Sequence, residues 1–413
     1  MTVPGDPAGV QSLLDTGLDG QVHLPGTSLA GALREAVGEE CREALFGPLL
    51  GADAEPRVSR VWVLGSRRIG DGKDYRTSTR IDRTRAAADP ATLRTEEVLP
   101  AGSRFEVFLR WDDAGDGEVA NLAKLLTAWR PFLGRGVSRG RGACEVESVR
   151  HGTLRLDEPA ALLRWLTLSG PELARSVAVH EVPKAAQAAP DPLLRVTVSI
   201  DGPVRIGNGE KAGTDEPGKA IPLFRVGGAP VVPGSGLKGL LRSRAEFILR
   251  SVDVPAEPCQ DQRCEKCWPC VVFGYGGGTD ENSDSVGGRA LIRIPDAEIT
   301  GAVPAERTHV AIDRFTGGAL DGALYTMEVL EAGTFELRVD LLDHDAEGLA
   351  EQIRAVLRLV LEDLDDGIIG LGGGVARGYG TVTVDFASSL LPGRDEARAV
   401  LRRMAEKGEH GAD

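Results

Sequence analysis

The chain has 413 residues, with 48 Lys and Arg against 62 Asp and Glu, a formal charge of −14. That length implies two or three domains at roughly 100–200 residues each, and 42% hydrophobic with 27% charged residues excludes a mostly disordered polypeptide. No run approaches the roughly 18 apolar residues of a membrane span, and residues 1–7 carry neither a basic nor an apolar leader segment, so the expectation is a cytoplasmic protein with no membrane partner.

In chain order, the pattern first predicts a helix over 29–45, then strands at 58–64 and 104–111, a helix at 119–132 and a strand from Ala143. A strand ahead of Pro25 is expected to be missing or very short, because Gly5, Pro7, Gly9, Gly17 and Gly20 interrupt that stretch. Residues 183–192 are rich in Ala and Pro and read as a semi-stiff linker. Beyond it, Leu194, Val196, Val198 and Ile200 alternate with polar residues as a strand does. A Pro-Gly-Ser turn at Pro233 opens a helix with Leu237, Leu240, Leu241, Ala245 and Ile248 on its apolar face. Strands follow at 290–294 and 334–341. A helix then carries Ile353, Val356, Leu357, Val360 and Leu364 and ends at Asp366-Gly367, and a last strand spans 380–386.

The two halves repeat each other. Leu24-Pro25-Gly26-Thr27-Ser28-Leu29 matches Val232-Pro233-Gly234-Ser235-Gly236-Leu237 at an offset of 208, and Ile81-Asp82-Arg83 matches Ile312-Asp313-Arg314 at 231. The glycine-rich block beginning Leu133-Gly134-Arg135-Gly136 matches the one beginning Leu371-Gly372-Gly373-Gly374 at 238. Matching blocks in one order, with only insertion-sized drift, point to two fused copies of one domain, 1–182 and 193–413. The element order βαββαβ predicts an α+β fold, two tandem ferredoxin-like sheets with helices on one face, as in RNA-recognition modules.

Four signals carry chemistry. Cys259, Cys264, Cys267 and Cys270 follow C-x4-C-x2-C-x2-C in a short polar loop, 258–274, where four thiolates can enclose one Zn²⁺ at ~2.3 Å and give the loop its order. Disulfides are the alternative, disfavoured in a reducing compartment. The turns at Ser28 and Ser235 set amides and a hydroxyl at a helix start, where they serve either as ordinary caps or as an anion seat. Arg34, Lys238 and Arg242 follow on those helices and add positive charge. The glycine-rich blocks hold Arg135, Arg139, Arg377 and Tyr379; they read either as tight connections or as places where a phosphate backbone approaches closely. Asp215, in the loop 207–218, is either a solvated turn acid or a carboxylate able to hold a hydrated divalent cation such as Mg²⁺. The six histidines are scattered and none adjoins a plausible nucleophile.

These blocks together resemble the repeat-associated mysterious protein (RAMP) superfamily. They are Pro-Gly-Ser-x-Leu-Lys-Gly-x-x-Arg from Pro233, the cysteines running into Val271-Val272-Phe273-Gly274, Ile-Asp-Arg-x-Thr-Gly from Ile312, and the terminal Arg377-Gly378-Tyr379-Gly380. More narrowly, they are similar to the backbone subunits of type III CRISPR effector complexes, the tandem fusion being III-D-like. The resemblance implies palms that stack along a CRISPR RNA and thumb hairpins near 312–329 and 81–98, with Arg83 and Arg314 at the RNA. It also implies target RNA and other effector subunits as partners, and metal-dependent cutting by a loop aspartate, matched here by Asp215. A strict count back from Pro233 lands on Gly218, and in the first copy on Val10, so the first copy is expected to be inactive. The alternative is a purely structural RNA-binding subunit with cleavage done elsewhere; a third reading is a zinc-containing scaffold that never meets RNA.

Overall fold

The computed structural model describes residues 10–48, 55, 57–82, 87–89, 92–184, 191–209, 220–252, 254, 267–275, 287–342, 347–387 and 389–409. Two compact units emerge, and they interleave along the chain. The first comprises residues 1–75, 96–137 and 141–190; the second comprises 76–95, 138–140 and 191–413. Two short pieces of the first sequence repeat therefore group with the second unit.

In the first unit, Val61–Ile69 pairs antiparallel with Arg104–Trp111, from Val61 opposite Trp111 to Ile69 opposite Arg104, with a register shift between Val63 and Gly65. The segment read as one helix over 29–45 is two, Gly26–Ala36 and Glu39–Phe46. Val37 is extended and Gly38 caps the second helix, because a mid-helix glycine costs about 1 kcal/mol and the break lets the Val37 side chain turn into the core. That core joins Leu33, Val37, Leu45, Val61 and Leu126. The next helix, Asp116–Ala128, starts where the Glu118 carboxylate accepts the Gly115 N–H at 2.9 Å, and it stops short of Pro131, whose ring disfavours helix before it. The strand expected from Ala143 reduces to a bridge between Phe132 and Ala143, with Ser148–His151 pairing His180–Pro183 further on. The N-terminal strand, Val10–Ser12, has three residues.

The second unit is built on an antiparallel sheet in the order Ile292–Arg293, Ala319–Leu341, Leu194–Ile200, Val382–Asp385. The central strand lies between its neighbours with Leu194 opposite Val339 and Ile200 opposite Val382. Its alternation places Leu194, Val196, Val198 and Ile200 on one buried face, with Arg195 and Thr197 exposed on the other. Helices Gly234–Ser251 and Glu347–Asp365 pack into the same core through Leu237, Leu241 and Leu249, and through Ile353, Leu357 and Leu361. Each such side chain, fully withdrawn from water, contributes about 1.5–3 kcal/mol. The second of these helices ends as its sequence predicts, with Gly367 at φ +69 donating to the Leu364 carbonyl. A C-terminal helix, Arg394–Glu409, packs on it through Ala397, Val400, Leu401 and Met404.

One strand outruns the sheet. The first part of Ala319–Leu341 pairs with Thr300–Ile312 as a long hairpin, with His309 opposite Tyr325 and Ile312 opposite Ala319. Asp313 shapes the turn: its Oδ1 accepts the N–H groups of Phe315 and Thr316, both at 2.8 Å.

Candidate nucleic-acid interface

Within the second unit three segments converge at the start of helix Gly234–Ser251. The Ile294 N–H donates to the Ser138 carbonyl at 3.3 Å. A Cβ on Gly140 would stand 2.2 Å from the Pro295 Cα, and Gly140 has φ +78, so only glycine passes here. The Gly234 N–H donates to Asp296 Oδ1 at 2.8 Å. The other carboxylate oxygen pairs with Arg76, whose guanidinium lies over the Phe224 ring at 4.9 Å. The first amide of this helix is thus satisfied by an internal carboxylate, while Ser235 beside it is half-buried.

One turn further on stands Lys238. Its ammonium is pushed down to about 7, first by burial and then by the positive charges of Arg242 and Arg139. Arg242 does not face outward as a phosphate contact would. It is buried, with Nε on Glu246 at 2.9 Å, Nη1 on the Gly274 carbonyl and Nη2 at 3.4 Å from Cys270 Sγ. Its charge also acts on Lys238. Arg139 reaches the same place from the first repeat. A half-buried lysine crowded by two guanidiniums is a costly arrangement that an incoming anion relieves.

The second glycine-rich block repeats the shape of the first. Gly372, Gly374, Gly378 and Gly380 all have positive φ, as do Gly134, Gly136, Gly140 and Gly142, and each block holds one 3₁₀ turn, Val375–Arg377 or Val137–Arg139. Arg377 is exposed and donates from Nη1 to the Tyr325 hydroxyl at 2.7 Å. Tyr379 is buried, its hydroxyl 2.7 Å from His309 Nε2. At the hairpin turn Arg314 is exposed, and Phe315 beside it is 99% exposed. The two backbone amides on Asp313 hold its carboxyl below the usual range. Phe315 was not singled out by sequence, because one aromatic in a turn has no periodicity.

In the first unit, Ser28 and Arg135 are exposed. Arg34 is committed to structure: its Nη1 donates to the Gly47 carbonyl at 2.7 Å and to that of Phe46 at 3.4 Å, at the carbonyl end of helix Glu39–Phe46. Arg83, Asp215, Cys259 and Cys264 lie outside the described residues. Cys267 and Cys270 are both buried where helix Trp268–Phe273 begins. Among the described residues no three His, Cys, Asp or Glu side chains gather as a metal site, and no helix is long and apolar enough to cross a membrane.

A search among curated proteins finds no match. The family model of the RAMP superfamily matches twice, over residues 6–145 and 197–383. The first region holds the Pro25-Gly26 turn and ends just past the glycine-rich block at 133–142, and the second holds Pro233-Gly234 and ends just past the block at 371–380. Spanning well over half its length, the two matches establish that the chain belongs to the RAMP superfamily.

Proposed function

We propose that the chain is a guide-binding backbone subunit of a type III CRISPR effector complex, III-D-like in its tandem form. The superfamily is associated with subunits that bind CRISPR RNA. The observation that carries the reading is the meeting of Arg139 and Lys238, one from each repeat, at the start of helix Gly234–Ser251. Such a site takes a sugar-phosphate backbone without reading bases. A ferredoxin-like palm is supported by the second unit's strand order, in which the first strand of the βαββαβ series lies between the third and the fourth. A thumb is supported by the long hairpin with Arg314 and Phe315 at its turn. In this reading target RNA and further effector subunits are partners, and the setting is cytoplasmic.

Two metals belong to the proposal. Structural Zn²⁺ would be held by Cys259, Cys264, Cys267 and Cys270; the fit rests on buried Cys270, whose sulfur accepts from Arg242 Nη2 at 3.4 Å, the kind of outer partner that orients a metal-bound sulfur. Zinc supplies no chemistry beyond fixing the loop. A divalent cation such as Mg²⁺ at Asp215 would assist cutting of target RNA in the second copy. The purely structural reading, with cutting done by other subunits, is favoured by the count back from Pro233, which lands on Gly218 rather than an acid.

Purification with its operon partners tests the central claim: RNA of uniform size should accompany the chain, and an absorbance ratio of bare protein would overturn it. Asp215→Ala should abolish metal-dependent cutting of a complementary target and leave binding intact. Unchanged cutting would remove Asp215 from the mechanism. Metal analysis of Cys270→Ser should show loss of zinc, and a full equivalent of zinc in that variant would refute the cage.

A further inference from the structure

On the long hairpin, His309 and Tyr325 face each other across the two strands. Their rings stack with centroids 5.4 Å apart and 26° between planes. Tyr379 meets His309 edge-on at 5.9 Å, with its hydroxyl on His309 Nε2. Below, Tyr379 rests on the buried side chains of Met327 and Val329. From the glycine-rich turn, Arg377 holds the Tyr325 hydroxyl. Arg307, two residues before His309 and so on the same strand face, is paired with Glu331 at 2.7 Å and feels the Tyr379 hydroxyl.

Both rings of the stacked pair are therefore pinned at their polar atoms by residues of one loop, Tyr379 and Arg377. The pair is only half-buried, and the Arg377 guanidinium beside it is exposed. A packed core needs neither feature: it would use aliphatic side chains and leave no cation at the rim. A pre-oriented, partly exposed ring pair with an adjacent exposed guanidinium fits what an unpaired nucleotide offers, a flat base and a phosphate.

We propose that the His309–Tyr325 pair is a stacking platform for one unpaired RNA base, with Arg377 contacting the phosphate of the same nucleotide. This rests on the RNA-binding reading above and adds a contact of a different kind from the charge contacts at Lys238. Because every base has a π-face, the platform tolerates any sequence. The competing account is that these four side chains merely clip the glycine-rich turn to the hairpin.

The test uses the full chain with single-stranded RNAs carrying 2-aminopurine at successive positions, read by quenching, and a dye-labelled RNA read by anisotropy. Wild type should bind and quench the probe at one or more positions. Tyr325→Leu should lose that quenching and about 5- to 100-fold in affinity, whereas Tyr325→Phe, which keeps the ring and loses the hydroxyl, should still quench. Lys238→Met should bind more weakly yet quench fully at saturation. If Tyr325→Leu does not fold, His309→Gln removes a ring and keeps an acceptor for Tyr379, and is read in the same way. Binding by anisotropy without quenching at any position would overturn the platform alone, as would full quenching in folded Tyr325→Leu. No anisotropy change with any RNA would refute the RNA-binding reading and the platform with it.

Discussion

Lys238→Met separates what this lysine does for folding from what it does for a ligand. Methionine keeps the apolar stem and removes the ammonium. In the folded chain that ammonium is held at about 7 rather than its ordinary 10.5, first by burial and then by Arg242 and Arg139. At 1.36 kcal/mol per pH unit, the gap corresponds to on the order of 5 kcal/mol opposing folding at low pH, a ceiling because entering water and side-chain relaxation return part of it. Below pH 7 both folded and unfolded chains hold the proton, so the penalty is full and constant. Between about 7 and 10.5 the unfolded chain binds a proton the folded one has lost, so stability rises with pH, and above that window the penalty is gone. Lys238→Met should therefore be more stable than wild type by a few kcal/mol at pH 6.5, with the gain shrinking steadily toward pH 9.5. Urea unfolding of both proteins at each pH measures it. A variant no more stable than wild type at pH 6.5, or a difference that stays flat to pH 9.5, would refute the reasoning. The same variant should bind RNA more weakly, since a bound phosphate is what repays the crowding of three cations.

Three further outcomes follow from the same geometry. Gly140→Ala puts a methyl 2.2 Å from the Pro295 Cα at φ +78 and should lose about 2 kcal/mol or more. Gly239→Ala, in a helix with nothing within 4 Å, should gain about 0.5–1 kcal/mol; equal effects in urea unfolding would contradict the close approach. Asp296→Ala strips the acceptor from the Gly234 amide and leaves the half-buried Arg76 guanidinium unpaired, for an expected loss of about 2–4 kcal/mol, and an unchanged thermal midpoint would show that neither contact matters. RNA affinity should fall with salt, and the log–log slope should shrink by about 0.7 for each of Arg139 and Lys238 neutralised; a slope that ignores both would place the phosphates elsewhere.

How much of this was legible in one dimension depends on whether a feature is periodic, repeated or long-range. The alternation at Leu194–Ile200 and the helix ending at Gly367 are local patterns and stand where the sequence put them. The doubled blocks carried the family, because recurrence makes short motifs specific. Two helices were missed although their signals were present. Ser169 caps Gly170–Val177 with its hydroxyl on Glu172, a Ser-x-x-Glu box, and Ala397, Val400, Leu401 and Met404 have helical spacing. Other features have no local trace. Gly234 and Asp296 are sixty-two residues apart, and nothing near Arg242 in sequence announces that Cys270 and Gly274 await its guanidinium. An arginine on a helix reads as outward until the partners that bury it are known. Residues 76–95 belong to the first repeat by sequence yet to the second unit by packing, as Arg76 on Phe224 shows.

A net charge of −14 is unfavourable for RNA binding by the surface as a whole, and the structure shows why it decides little. The total counts acids that the fold has already paired along with those that face water. Glu362 is paired with Arg358 and Arg394, Asp363 with Arg244, and Asp340 with Arg293 and Arg338. Such pairs present little field to an approaching polyanion beyond a Debye length of about 8 Å. The reverse holds at Lys238, where the charges that shift the ammonium are both positive. A polyanion responds to the local potential where it docks rather than to the total charge. The cost of gathering Arg139, Lys238 and Arg242 falls on stability, where folding alone would have selected against it. The proposed RNA site at this helix start would put a phosphate where it offsets that cost.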